Sequence, residues 1–293
     1  MKPRVTQRKM PVLLGLLLVP VLLAAPVARA ADNVEKQLKS DYMGQTLTLR
    51  HFYKGDHLAF ESDGSLVGSA DIGPWTVYGQ ILVDGIGLTE RSLQIRGRRI
   101  CLYFDPKTKQ LRDLLSLSEK SAAKNRDDLR TCYLEERVEI KIVFTAPNPG
   151  VQDVSSAMSA IFLSPGESVG EIAPEFWRGY LEEAEGQSRS AGDSTERVYS
   201  VAAGEASAPR AIYNPAPEFS EAARISKYHG TMTLTLVVDP SGSVRDVEIA
   251  SPLGMGLDEK AVDMIRTWKF EPGMRSAQAV PVKVLVEVEF MLN

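Results

Sequence analysis

Cysteine and histidine are scarce in this chain. Only two cysteines and three histidines occur among its 293 residues, and nothing near Cys101 or Cys132 has the ligand spacing of a zinc site. His51 and His57 lie close to Asp56 in the sequence, but no third ligand is evident. The sequence therefore predicts neither a metal site nor a requirement for another cofactor.

The chain also lacks an excess of positive charge. Its 34 basic residues face 38 acidic ones, and five of the basic residues precede residue 31, where no acidic residue occurs. The remainder is thus more acidic than the net charge of -4 suggests, which gives no support to nucleic-acid binding. With 44% apolar and 25% charged residues, the composition is that of an ordinary globular protein, and the length suits about two domains.

A complete catalytic motif is lacking as well. Ser168 stands in the Gly166–Gly170 run with the spacing of a nucleophile elbow, in which a serine sits between a strand and a helix. Pro165 and Pro174 interrupt the flanking elements, and His229, the only downstream histidine, lies beyond a polar run. We expect Ser168 to be a loop residue and the protein not to be an enzyme.

Residues 1–30 have the features of a secretory signal. A basic start precedes the apolar stretch Pro11–Val27, and Ala28–Ala30 forms a small-x-small cleavage site. A retained membrane anchor is the alternative. Pro20 and Pro26 interrupt the apolar stretch, whose length is marginal for a hydrocarbon core of about 30 Å. We favour cleavage and export.

If the protein is exported, its two cysteines lie in an oxidising compartment. In an oxidising compartment, an even number of cysteines predicts a disulfide, here between Cys101 and Cys132. Two separate buried thiols are the alternative. The bridge would join the two sides of a polar helix predicted at about residues 118–129.

Residues 31–181 are predicted to form a strand-rich α+β domain. Glycines punctuate its first half, and Gly97 is predicted to be the turn of a hairpin. Val138–Phe144 alternates as a strand, and helical spacing begins at Val151 and again after Pro174.

Residues 182–208 are predicted to be a linker. The run from Glu182 to Glu196 is rich in serine, glycine and charge, and it has almost no large apolar residue. A short apolar piece at Val198–Val201 is expected to dock on the domain that follows, which spans residues 209–293.

This last domain has the clearest pattern in the sequence. Residues 231–238 alternate as a strand, a turn at Asp239–Gly242 follows, and residues 246–250 alternate again. Asp258 is a candidate N-cap for a helix that begins near Leu257. The chain then closes on an alternating strand with valines on one face.

Chain direction predicts the topology of that sheet. The strands should lie in the order second, first, last, so the last strand should be an edge with unpaired backbone groups. The candidate binding residues on this edge are Val282, Lys283, Val284, Leu285, Val286, Glu287, Val288, Glu289 and Phe290.

Several motifs in this domain resemble the C-terminal domain of the TonB family. They are Gly230-Thr231, Val238–Gly242, Leu257–Ala261, Trp268–Pro272 and the closing strand Val282–Phe290. One departure is Phe219-Ser220, where the family usually has a Tyr-Pro pair. The resemblance covers less than a third of the chain and implies a three-stranded antiparallel sheet packed on a helix.

The resemblance also implies a function. It suggests an exported, periplasmic protein that binds a peptide segment of an outer-membrane receptor by strand addition, in TonB-dependent transport. If residues 1–30 are retained, the protein would be anchored in the inner membrane and face the periplasm. The alternative is an envelope scaffold or adaptor that uses the same domain for other protein partners.

Overall fold

The structure is a computed structural model that describes residues 24–114, 137–186, 196–201 and 203–291. Helix α1 (Ala24–Tyr42) runs across the expected cleavage site after Ala30. Among the described helices, none combines the length and the apolar character needed to cross a bilayer. Cys132 and the helix predicted at residues 118–129 lie outside the described residues.

The first region is built on a five-stranded sheet in the order β1-β3-β4-β7-β2. β2 and β7 are parallel, and the other neighbours are antiparallel. Helices α1 and α3 contribute Leu38, Val154 and Met158 to its hydrophobic core. The strands of this region are β1 (Thr46–Thr48), β2 (His57–Glu61), β3 (Gln80–Leu88), β4 (Ser92–Ile100), β5 (Leu102–Asp105), β6 (Gln110–Asp113) and β7 (Arg137–Val143). Its other helices are α2 (Trp75–Tyr78), α3 (Val151–Ile161) and α4 (Glu175–Ala184), with a 3-10 turn at Val169–Glu171.

Gly97 is not a turn, and the predicted hairpin there is wrong. It lies inside β4 and pairs with Val83 of β3. A Cβ atom at this position would lie 2.5 Å from the Leu82 carbonyl oxygen and 2.6 Å from Ile81 Cγ2. The glycine therefore allows a close approach of two strands, and a close approach gives the same sequence signal as a turn.

The second region contains a four-stranded sheet in the order β11-β10-β15-β8. The predicted order of second, first and last strand is present, but the sheet has a fourth strand of two residues beyond the last. The strands are β8 (Tyr199–Ser200), β9 (Arg210–Tyr213), β10 (Gly230–Val238), β11 (Val244–Ser251), β12 (Lys269–Glu271), β13 (Met274–Arg275), β14 (Gln278–Ala279) and β15 (Val282–Phe290). The helices are α5 (Glu221–Ile225) and α6 (Leu257–Ile265).

Helix α6 begins two residues earlier than an Asp258 cap would require. Gly256, with φ of 72°, is its N-cap, and Asp258 lies in the first turn. The Asp258 carboxylate accepts hydrogen bonds from the amides of Leu253 and Gly254, at 2.8 and 2.6 Å. The predicted N-cap is therefore wrong, because this carboxylate reaches back to the preceding loop rather than to its own helix.

The two regions share one hydrophobic cluster. Trp75 and Trp177 from the first region are buried together with Leu257 and Val262 of α6. Helix α4 continues to Ala184, past the expected end of the first domain at residue 181. The mixed helix-and-strand class agrees with the α+β prediction, whereas the domain boundaries stay a prediction.

Candidate docking edge of the C-terminal sheet

Strand β15 is paired along its whole length on one side. All nine of its residues face β10 in an unbroken antiparallel register from Val282↔Val238 to Phe290↔Gly230. Val282, Val288 and Phe290 are buried. This side of the strand is fixed by a continuous ladder and by the core.

Of the two faces of β15, the one that points away from the core is exposed to solvent. Lys283, Leu285, Glu287 and Glu289 are exposed, and Leu285 retains 69% of its accessible surface. Leu285 is therefore an apolar contact point on an otherwise charged face of the strand. Two acidic side chains lie at the far end of this face, which favours a partner with basic residues there.

The direction of the backbone groups in β15 follows from one hydrogen bond. The Tyr199 amide donates to the Pro281 carbonyl oxygen at 2.9 Å, so the backbone groups of residue 281 point away from β10. Backbone orientation alternates along a strand. The amides of Lys283, Leu285 and Glu287 therefore all point to the outer side.

Among the described residues, strand pairing occupies the outer side of β15 only at its start. β8 pairs in parallel with β15 at Val282↔Tyr199 and Lys283↔Ser200. Within the described part of the chain, no strand lies on the outer side of β15 from Val284 to Phe290. This stretch is the candidate docking edge. At its far end, the Phe219 ring packs edge-on against Phe290 at 5.5 Å.

The first region holds the helix that supports this sheet. The Gly256 amide at the start of α6 donates to the Thr76 hydroxyl at 3.0 Å, and the Trp177 indole donates to the Glu259 carboxylate at 3.0 Å. In addition, the Phe104 amide donates to Leu253 at 2.8 Å. These three hydrogen bonds, here called the clamp, hold α6 and the loop before it against the first region.

Two carboxylates lie at this clamp: Asp258 is fully buried, and Glu259 is half-buried with one carboxylate oxygen enclosed. Burial raises the pKa of Glu259 to about 7, while the hydrogen bond from Trp177 acts in the opposite direction. Burial, and then the negative charge of Glu259, raises the pKa of Asp258 well above its ordinary value, against the two amide hydrogen bonds. The second carboxylate oxygen of Glu259 has no hydrogen-bond partner.

A groove of about 570 Å³ lies beside the clamp, between α4 and β11. Its charges are mixed, because Arg245, Arg266 and Lys283 face Glu175, Asp246 and Glu248. Several of them already form pairs, such as Arg245 with Glu196 at 2.6 Å. This groove has no excess of either charge with which to select a ligand.

The other sequence candidates are not brought together. Ser168 caps the 3-10 turn by accepting from the Gly170 amide at 2.9 Å, and it donates to Glu185 at 2.8 Å. His57 lies 3.0 Å from Asp56, with both side chains about three-quarters exposed. Within the described ranges, no group of three or more potential metal ligands occurs. Cys101 is buried.

The sequence did not predict the hydrogen bonds that join α6 to the first region. The docking of Val198–Val201 on the last domain, predicted from a short apolar run, is confirmed by the pairing of β8 with β15. The helical spacing after Pro174 is consistent with the burial of Trp177, but the polar partner of its indole, Glu259, lies 82 residues away in the chain. No local signal identifies such a pair.

Part of the second region matches a known family. Residues 215–292 match the family model described as Gram-negative bacterial TonB protein C-terminal, so this segment is similar to TonB C-terminal domains. A curated relative is protein TonB2 of Pseudomonas aeruginosa, 34% identical over 83 residues. The match covers 28% of this chain and spans only 31% of the length of that relative.

A solved structure is also similar. The solution structure of the TonB C-terminal domain of Pseudomonas aeruginosa is 14% identical, with a TM-score of 0.26. The match covers 34% of this chain and 96% of that structure.

Proposed function

We propose that the TonB C-terminal domain of this chain binds an extended peptide segment of an outer-membrane receptor by adding it as a strand to β15. The observation that carries the proposal is the row of outward backbone groups at Leu285, Glu287 and Glu289. A strand placed there continues an existing sheet without moving the core. TonB-dependent transport is the process in which such docking acts.

Main-chain hydrogen bonds supply much of the affinity in strand addition, and alternate side chains supply selection. Each new backbone bond contributes about 1 kcal/mol net. Val284 and Val286 are half-buried against the core, so an incoming strand covers them with one of its faces. Its other face lies beside Leu285 and the two glutamates.

The proposal places the protein in the periplasm, released after removal of residues 1–30. A retained segment would anchor it in the inner membrane instead. Mass spectrometry of the mature N-terminus distinguishes these two states. In both, the partner is an envelope protein, and the role is binding rather than catalysis.

An envelope scaffold or adaptor is the second candidate. The shared core and the clamp on α6 favour it, because they fix the docking edge relative to a large first region. A scaffold would use that fixed geometry to present other protein partners to each other. It would not require a receptor peptide.

Proline substitution in β15 tests the docking edge. The amides of Leu285 and Glu287 point outward, so Leu285→Pro and Glu287→Pro each delete an outer donor without removing a bond to β10. We expect both variants to stay folded and to lose binding to receptor peptides. Glu287→Ala is the matched control, because it removes the side chain and keeps the amide.

Binding is measured by calorimetry against synthetic peptides that cover the periplasm-facing segments of the receptors of the source bacterium. Circular dichroism checks the fold of each variant. If both proline variants are folded and bind with wild-type affinity, β15 is not the docking edge. The scaffold function then becomes the better candidate.

A further inference from the structure

The start of β15, just before the candidate docking edge, is covered by the chain itself. Residues 196–201, here called the clasp, place β8 beside β15 in parallel. The Tyr199 amide donates to the Pro281 carbonyl oxygen, and the outward amide of Lys283 faces the same strand. The clasp therefore occupies backbone groups that an added strand of full length would need.

The backbone groups of the clasp that point away from β15 are hydrogen-bonded as well. The Ser200 amide, which points away from β15, donates to the Glu205 carboxylate at 3.0 Å, and the Glu205 amide donates back to Ser200 at 3.1 Å. Gly204 donates to Val201 at 2.9 Å. Because these groups are satisfied locally, the sheet ends at the clasp, as protected edges do.

Side chains tie the clasp to the domain from outside. The guanidinium groups of Arg197 and Arg275 lie 5.0 and 4.7 Å from the centre of the Tyr199 ring. Glu196 pairs with Arg245 at 2.6 Å. Such exposed charge and cation–π contacts contribute little each.

The clasp is not part of the core. Its residues are exposed or half-buried, and none is fully buried. By contrast, the β10 ladder on the other side of β15 has Met232, Leu234 and Leu236 fully buried behind it. The clasp can therefore leave β15 without opening the core, and a segment with few buried contacts opens at low cost.

We propose that the clasp competes, within the same molecule, with a partner strand for β15. The clasp must leave β15 before a partner strand can pair along the whole length of β15. This rests on the proposed function of β15. With the clasp in place, a partner has only the stretch Val284–Phe290. The apparent affinity is then reduced by the fraction of molecules in which the clasp is closed.

Tyr199→Pro tests the competition, because it deletes the amide that donates to Pro281. Tyr199→Phe is the matched control, since it keeps both the amide and the ring beside the two arginines. Glu205→Ala is a second variant, which removes the acceptor of the Ser200 amide and leaves the β15 contact intact. All three changes lie outside the core and outside β15.

The first measurement needs no partner. Amide hydrogen exchange by NMR should show Lys283 protected in the wild type and in Tyr199→Phe, and exposed in Tyr199→Pro. Leu285 should exchange quickly in all three. Equal exchange of Lys283 in wild type and Tyr199→Pro would overturn the clasp, whatever binds to β15.

The second measurement uses the receptor peptides described above. We expect Tyr199→Pro to bind them about three- to tenfold more tightly than wild type, with Glu205→Ala in between. The Tyr199 amide of the wild type should lose protection when the peptide is bound. Unchanged affinity with Tyr199 still protected in the complex would contradict competition.

The two proposals fail in different ways. If no peptide binds any variant but Lys283 exchange still changes in Tyr199→Pro, the docking function is wrong and competition falls with it, while the contact remains. If peptides bind through β15 and the clasp variants behave as wild type, only the competition is wrong.

Discussion

The Trp177 indole donates a hydrogen bond to the Glu259 carboxylate across 3.0 Å, from α4 of the first region to α6 of the second region. Trp177 is fully buried and also packs edge-on against Trp75 at 5.3 Å. Through this contact, the helix behind the docking sheet is held by a part of the chain outside the matched segment.

Trp177→Phe should destabilise this contact. The change leaves the Glu259 carboxylate without its indole donor, and an unsatisfied buried group costs about 1–3 kcal/mol. Urea denaturation should show a lower free energy of unfolding. Glu259→Gln combined with Trp177→Phe gives a double-mutant cycle. A coupling energy near zero would mean that the hydrogen bond contributes nothing.

The stability of the protein should fall between pH 5 and pH 7. The pKa of Glu259 is about 7 in the folded protein and about 4.3 for an unperturbed glutamate, so the folded state binds the proton more tightly. Its contribution is present below the unfolded pKa and is lost as the pH rises through the folded pKa.

Thermal melts across that range test this expectation. Glu259→Gln should flatten the decline, because the amide does not titrate. If the melting temperatures of the wild type and of Glu259→Gln change with pH to the same extent, the pKa of Glu259 is not raised.

Gly97→Ala should destabilise the first sheet by about 1–3 kcal/mol, because the added Cβ overlaps the Leu82 carbonyl and Ile81. Gly87→Ala is the matched control. It lies in the paired strand β3, and a Cβ there meets nothing within 4 Å. Chemical denaturation of both variants compares them directly, and equal losses would rule out the close approach at Gly97.

The disulfide between Cys101 and Cys132 stays a prediction. If it forms, Cys132→Ser should lower the free energy of unfolding by about 2–4 kcal/mol under oxidising conditions. Reductant should lower the wild type to the same level. A thiol assay on unfolded, unreduced protein that labels both cysteines would show that the bond is absent.

Cleavage in the polar run at residues 187–195 should leave the two regions associated. The composition of this run favours protease access, while the shared core and the clamp on α6 hold the pieces together. Size-exclusion chromatography after limited proteolysis should give one peak with two fragments on a denaturing gel. Two separated peaks would mean that the domains are independent, as a flexible linker alone predicts.

The local sequence pattern was sufficient to predict the strands that form the docking edge. Alternation in residues 231–238 and in Val282–Phe290 predicted both strands, and chain direction predicted that they pair. The expected docking of Val198–Val201 was also visible as a short apolar run. These features depend on neighbouring residues, so the sequence by itself determined them.

Only the tertiary structure decided which groups meet across long separations. Asp258 faces a preceding loop rather than capping its helix, Gly97 accommodates a neighbouring strand, and Trp177 finds Glu259 on another element. Which backbone groups of β15 point outward is likewise visible only from the pairing of β15 with β10 and β8. Periodicity indicates which face of an element is buried, but it does not indicate which distant residue lies against that face, such as Glu259 against Trp177, 82 positions away in the chain.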